Sequence, residues 1–118
     1  MDQLTIKSSV SPAGVRVVVL NGPLTLNTLF EFQTEVRREA ADSIVVDLTG
    51  VPYMDSAGLG TILGALASCQ RHHRGFALAG VCERVRTLFQ VAHVDEMLPV
   101  FDTAAAAEAK LIARTTGA

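Results

Sequence analysis

Three short runs of apolar and β-branched residues, Val15–Leu20, Ser43–Leu48 and Phe76–Val81, are each followed by a stretch in which apolar residues recur at helical spacing. A short continuous apolar run suits a strand covered on both faces, and an amphipathic helix between two such runs suits a parallel crossover. This alternation restricts the chain to an α/β fold with a small sheet, parallel through most of its width.

The first strand departs from that rule. Leu4 and Ile6 alternate with polar neighbours, and Ser11-Pro12-Ala13-Gly14 is turn chemistry, so an N-terminal hairpin is expected to pair antiparallel with Val15–Leu20. Thr28 and Glu31 have capping-box spacing for a first helix reaching about Ala41, with Leu29, Phe32, Val36 and Ala40 as its buried stripe. A second helix runs from Asp55-Ser56 to about Arg71, with Leu59, Ile62, Leu63 and Leu66 at helical spacing. A third runs from Glu83 to about Ala92, with Val85, Leu88 and Phe89 inward, and Leu98–Phe101 reads as a short edge strand. Thr103 or Asp102 can cap a terminal helix through the alanines 104–107 to about Ala113.

A chain of 118 residues with 49% hydrophobic and 19% charged residues is expected to form one globular domain over 1–118. A formal charge of −2 gives no global attraction to nucleic acid or to an anionic membrane. Cys69 and Cys82 form no Cys-x-x-Cys pair, so a disulfide framework is not expected and a reducing compartment fits better. No signal peptide is visible. The apolar part of the second helix meets Arg71, His72, His73 and Arg74 too soon to span a bilayer, so a cytoplasmic protein is expected.

The segment carrying most chemical information is Val51-Pro52-Tyr53-Met54-Asp55-Ser56-Ala57-Gly58-Leu59-Gly60, between the third strand and the second helix. Asp and Ser are both favoured N-caps, so either can start this helix, and the simplest role for Ser56 is that cap. A hydroxyl placed there also sits at the positive end of a helix, where an added phosphate is tolerated by its own chain. Gly58, Gly60 and Gly64 each cost ~1 kcal/mol against alanine inside a helix, which asks what comes close to the backbone there.

Rival chemistries lack their partners. A nucleophile elbow needs glycine where Met54 stands, and His72 and His73 lie about 24 Å along the same helix at 1.5 Å per residue. Asp47 ends a strand as a phosphoacceptor carboxylate would, but the early strands end in Ser8 and Asn21 rather than an acidic pair. The lysines are Lys7 and Lys110, so Asp47 is expected to accept nearby backbone N–H groups. Gly58-Leu59-Gly60-Thr61-Ile62-Leu63-Gly64 misses the dinucleotide spacing by one residue. Cys69 and His73 offer one i, i+4 pair without a second, so neither a metal nor a cofactor is expected, and Cys82 reads as a small filler.

Met54-Asp55-Ser56-Ala57-Gly58-Leu59-Gly60 resembles the signature of the STAS family of anti-sigma factor antagonists. Further likeness lies in Gly22-Pro23-Leu24-Thr25, in Val45-Val46-Asp47-Leu48-Thr49-Gly50-Val51, and from Gly80-Val81 through Val85-Arg86-Thr87-Leu88-Phe89. The resemblance implies a binding module rather than an enzyme. Members hold an anti-sigma factor that is also a serine kinase; the kinase phosphorylates the serine after the motif aspartate, and a PP2C-type phosphatase restores it. That serine maps onto Ser56, and Thr25, Asp55, Ser56, Ala57, Gly58, Leu59 and Gly60 are the expected partner-binding residues, with room for a homodimer. Thr25 and Pro23 replace an aspartate and a glutamate of relatives, and Ala57 replaces a second serine found in some, leaving Ser56 the one hydroxyl of the motif. Two other roles within the family stay open at this point: a scaffold subunit of a stressosome-like complex, and the STAS subunit of a lipid-transport ABC complex.

Overall fold

A computed structural model describes residues 3–38 and 41–117, with the side chains of 114–117 left out of the description. The elements run β1 (Thr5–Val10), β2 (Val15–Asn21), α1 (Leu29–Arg37), β3 (Ser43–Gly50), α2 (Ser56–Arg71), β4 (Gly75–Ala79), α3 (Glu83–Val91), β5 (Val100–Phe101) and α4 (Ala104–Gly117). The sheet order is β1-β2-β3-β4-β5. β1 pairs antiparallel with β2, Ile6 opposite Leu20, and every later pair is parallel. The expected hairpin and parallel alternation are both present.

The sheet separates two apolar layers. Val18, Leu20, Ile44, Val46, Leu48, Phe76 and Leu78 face a large core completed by Phe32 and Val36 of α1, Ile62 and Leu66 of α2, and Val85 and Phe89 of α3. Val15, Val45, Ala77 and Ala79 face the other way, against Ala107 and Leu111 of α4. Burial on both sides is why β3 and β4 read as unbroken apolar runs. At the border of α1, Arg16 on β2 donates to Ser8 Oγ (2.7 Å) and lies 3.6 Å from Glu35, which also pairs with Arg38 at 3.2 Å.

Several boundaries differ from the sequence expectation. α1 stops at Arg37 rather than Ala41, because Arg38 turns to an extended conformation while its N–H donates to Glu35 O. Ala40, expected on the buried stripe, lies outside the described residues. The Thr28–Glu31 capping box does not form: Thr28 makes no side-chain cap bond. Its hydroxyl turns back instead, donating to Pro23 O (2.8 Å) and accepting the Thr25 N–H (2.9 Å). β4 ends at Ala79 because Gly80 takes a positive φ of 70°, with Thr49 packed where a side chain would stand. β5 is confined to Val100–Phe101. The terminal helix runs past Ala113 and is capped by Thr103, whose Oγ1 accepts the Ala106 N–H at 3.1 Å.

Candidate functional site

Because β3 is parallel to both its neighbours, the loops leaving the C-terminal ends of β2 and β3 meet at one end of the sheet. There they are stitched together by backbone. Leu24 pairs with Met54 as an isolated parallel bridge; the Leu24 N–H donates to Tyr53 O (3.2 Å) and the Asp55 N–H to Leu24 O (3.3 Å). Asp55, not Ser56, is the N-cap of α2. Its backbone is extended (φ −97°, ψ −175°), and one carboxylate oxygen accepts the Gly58 N–H at 2.8 Å. The other oxygen reaches across to accept the Leu26 N–H at 3.1 Å. One carboxylate thus caps the helix and pins the neighbouring loop.

Partial burial raises the Asp55 pKa, but N–H groups of Gly58, Leu26 and Ala57 outweigh it and hold the carboxyl below its ordinary value. Gly58 is explained by the same stitch. A side chain there would run into the Leu24 carbonyl and the Met54 side chain. The Gly22–Leu29 loop is itself rigidified, since Thr25 Oγ1 accepts the Asn27 N–H (3.3 Å) and Thr25 O accepts from Thr28 and Leu29. Thr25 directly precedes Leu26, the residue bonded to Asp55.

With Asp55 as the cap, Ser56 is free of that duty. It is the first residue of α2, it is exposed, and among the described residues its hydroxyl has no hydrogen-bond partner. Ala57 is half-buried, and Gly60 is exposed one turn on. Gly58 and Leu59, also expected to meet a partner, are buried instead and shape the turn from inside. Gly60 and Gly64 have nothing within 4 Å of where a Cβ would stand, so no intramolecular packing demands glycine at either position. Tyr53, before the cap, lies under the Arg84 guanidinium of α3, 5.0 Å from the ring centroid.

Two site features escaped the sequence reading. Leu26 is 60% exposed and Phe30 65% exposed, both on the loop and first turn that Asp55 pins. The available signal was Phe30's position off the Leu29–Phe32–Val36 stripe, which leaves an apolar ring with no core to enter. The local roles expected of Asp47 and Cys69 are seen. Asp47 accepts the Thr49 N–H (2.9 Å) and the Thr49 hydroxyl (2.6 Å), an anchoring role. Cys69 is buried, with its thiol pKa pushed up by desolvation, and Cys82 lies against Val51 O. Among the described residues no His, Cys, Asp and Glu cluster could hold a metal, and no helix is long and apolar enough to cross a membrane.

Residues 7–107 match the model of the STAS domain. An anti-sigma-B factor antagonist of Staphylococcus epidermidis is 32% identical over 76 residues, which make up 64% of this chain and 70% of that protein. A crystal structure of an anti-sigma factor antagonist from Mycobacterium paratuberculosis superposes with a TM-score of 0.82 at 19% identity, covering 92% of this chain and 94% of that one. The antagonist SpoIIAA superposes in its unphosphorylated form with a TM-score of 0.74 at 19% identity, covering 97% of this chain and 98% of that one. Its phosphorylated form from Bacillus gives 0.68 at 17% identity, over 88% and 97%. At such identities the solved structures speak to the fold.

Proposed function

The chain belongs to the STAS domain family, and on that footing we propose that it is an anti-sigma factor antagonist whose hold on an anti-sigma factor is broken by phosphorylation of Ser56. The observation that carries this reading is the division of labour at the start of α2. Asp55 does the capping and the loop pinning, and Ser56 stands beside it exposed and unbonded. Esterifying that hydroxyl removes no intramolecular hydrogen bond. Its charge of about −1.5 to −2 lies at the positive end of the 16-residue helix α2, so the domain tolerates it.

The docked partner does not share that tolerance. One like-charge contact at ~4 Å and an effective dielectric of ~20 opposes binding by ~4 kcal/mol, on the order of a thousandfold in affinity. No rearrangement of the domain is needed for such a switch. The surface that meets the anti-sigma factor is Ser56 and Gly60 on α2, Ala57 and Asp55 at its rim, and Thr25, Leu26 and Phe30 on the adjoining loop and helix. Gly58 and Leu59 support it from within. In this scheme the anti-sigma factor is also the serine kinase, a PP2C-type phosphatase reverses the modification, and the chain is substrate and ligand rather than catalyst. Similarity to antagonists favours this reading over a stressosome scaffold or a lipid-transport subunit.

The test is phosphate mapping by mass spectrometry after incubation with the source organism's anti-sigma kinases and ATP. The expected result is a single phosphate on Ser56, absent from Ser56→Ala. Modification elsewhere, or none by any of these kinases, refutes the switch.

A further inference from the structure

The two edges of the sheet are finished differently. β5, at one edge, is two residues long, whereas β1, at the other, runs for six. Short strands, prolines, bulges and charged side chains are what keep a sheet edge from pairing with another chain. β1 carries one such device, the exposed Lys7. It holds no proline, and its register with β2 is unbroken from Thr5 opposite Asn21 to Val10 opposite Arg16.

The hairpin turn fixes where the free backbone groups of β1 point. The Ser11 N–H donates to Val15 O (2.8 Å), and Gly14, at a φ of 84°, closes the turn by donating to Ser11 O. Hydrogen-bonded pairs alternate along an antiparallel ladder, so Ser9, Lys7 and Thr5 spend their N–H and C=O groups on β2. Those of Ile6, Ser8 and Val10 point outward, where β1 has no neighbouring strand among the described residues. The side chains of these three lie on the face toward α1. Ile6 packs against the core rim, while Val10 is 51% exposed. Beside Ile6 and Ser8 a notch of about 370 Å³ opens between β1 and α1, with Thr34 on its helical wall.

We propose that β1 pairs antiparallel with β1 of a second copy of this chain, about a two-fold axis through Ser8. Because the outward groups belong to residues 6, 8 and 10, only pairings among those residues form bonds. Setting Ile6 opposite Ser8 of the second copy places Lys7 opposite Lys7, a like-charge contact that disfavours that register. Centring on Ser8 removes the conflict: Ser8 meets Ser8, Ile6 meets Val10, and Lys7 meets Ser9. Each hydrogen-bonded pair then exchanges both of its N–H···O bonds. Val10 gains the apolar neighbour that its own chain does not supply, at the mouth of the notch beside Ile6. Registers shifted further either way shorten the overlap. The axis stands perpendicular to the sheet, so the two sheets join into one with both α1–α2 layers on the same face. The pairing goes beyond the antagonist reading and needs no anti-sigma factor.

The experiment is sedimentation equilibrium of the full chain over a concentration series, with V10P and V10K beside wild type, and oxidative cross-linking of S8C and T5C. Wild type is expected to pass from monomer to dimer as concentration rises. V10P removes an outward N–H that the β1–β2 ladder does not use, and V10K sets a charge against Ile6. Each is expected to weaken self-association roughly tenfold or more while keeping wild-type circular dichroism. V10K carries the test alone if V10P does not fold, since Val10 is exposed. S8C should cross-link to itself, because Cα atoms about 5.5 Å apart in such a pair lie within disulfide reach of about 4.4–6.8 Å. T5C, which meets Ser11 rather than itself, should not exceed wild type, whose Cys82 sets the background. A wild-type chain that stays monomeric up to about 1 mM overturns the proposal. So does a dimer that survives both Val10 substitutions, or T5C that cross-links as readily as S8C. None of these outcomes bears on whether Ser56 is phosphorylated.

Discussion

The two sides of the first turns of α2 use the same residue types for opposite ends. On the inner side, Gly58 and the Asp55 carboxylate are locked against the Leu24–Leu26 backbone, and no atom can be added without displacing it. On the outer side, Ser56, Gly60 and Gly64 touch almost nothing of their own chain. The inner side fixes the position of the loop and helix; the outer side is left for others. The hydroxyl proposed as the switch lies at that border, held in place yet unused by the fold.

Substitutions can break or sharpen this contrast. The largest effect is expected outside: Ser56→Glu should reduce affinity for the anti-sigma factor on the order of a hundredfold, with Ser56→Ala within twofold of wild type and unfolding of both unchanged, as titration calorimetry and thermal melts would read. Inside, Gly58→Ala should lose about 2 kcal/mol of stability in urea unfolding, because the Leu24 carbonyl it meets is backbone and cannot move aside as a flexible side chain would. A wild-type midpoint for Gly58→Ala would mean that the stitch is loose.

A smaller change, ~1 kcal/mol, is expected from Asp55→Ala, which removes the cap and the Leu26 bond together. This one depends on pH. The Asp55 pKa is lower folded than unfolded, so its contribution is full above the unfolded value of about 3.9 and fades as pH falls toward the folded value. Asp55→Asn keeps a capping oxygen but cannot ionise, so its stability deficit at pH 7 should shrink by pH 3. The smallest effects come from Gly60→Ala and Gly64→Ala, each expected to stabilise the free chain by up to ~1 kcal/mol since neither Cβ meets a neighbour. Destabilisation at either site would reveal packing on the outer face.

The α/β architecture was readable because β3 and β4 are buried on both faces, and β2 on one face and half-buried on the other, so all three declare themselves as apolar runs. Element ends were less so. Thr28 has the residue type and spacing of a capping box, yet its hydroxyl bonds to its own loop, an outcome set by how Pro23 and Thr25 fold back. The motif drew attention to the start of α2, but an Asp-Ser pair does not reveal which residue caps. That choice follows from the Leu26 N–H, which only the Asp55 carboxylate reaches. Likewise three glycines in one helix look alike in sequence; only the approach of Leu24 separates Gly58 from Gly60 and Gly64. Phe30 follows buried Leu29 in the chain but lies off its helical stripe, and Leu26 sits in a loop with no periodicity to read.

The central claim, that charge on one unbonded hydroxyl controls docking without altering the domain, is tested most directly with chain fully phosphorylated at Ser56. Its affinity for the anti-sigma factor and its thermal unfolding would be measured beside those of the unmodified chain. The account predicts a loss on the order of a thousandfold in affinity with the melting curve essentially unchanged. Equal affinities, or a loss of binding accompanied by collapse of the melting transition, would contradict it.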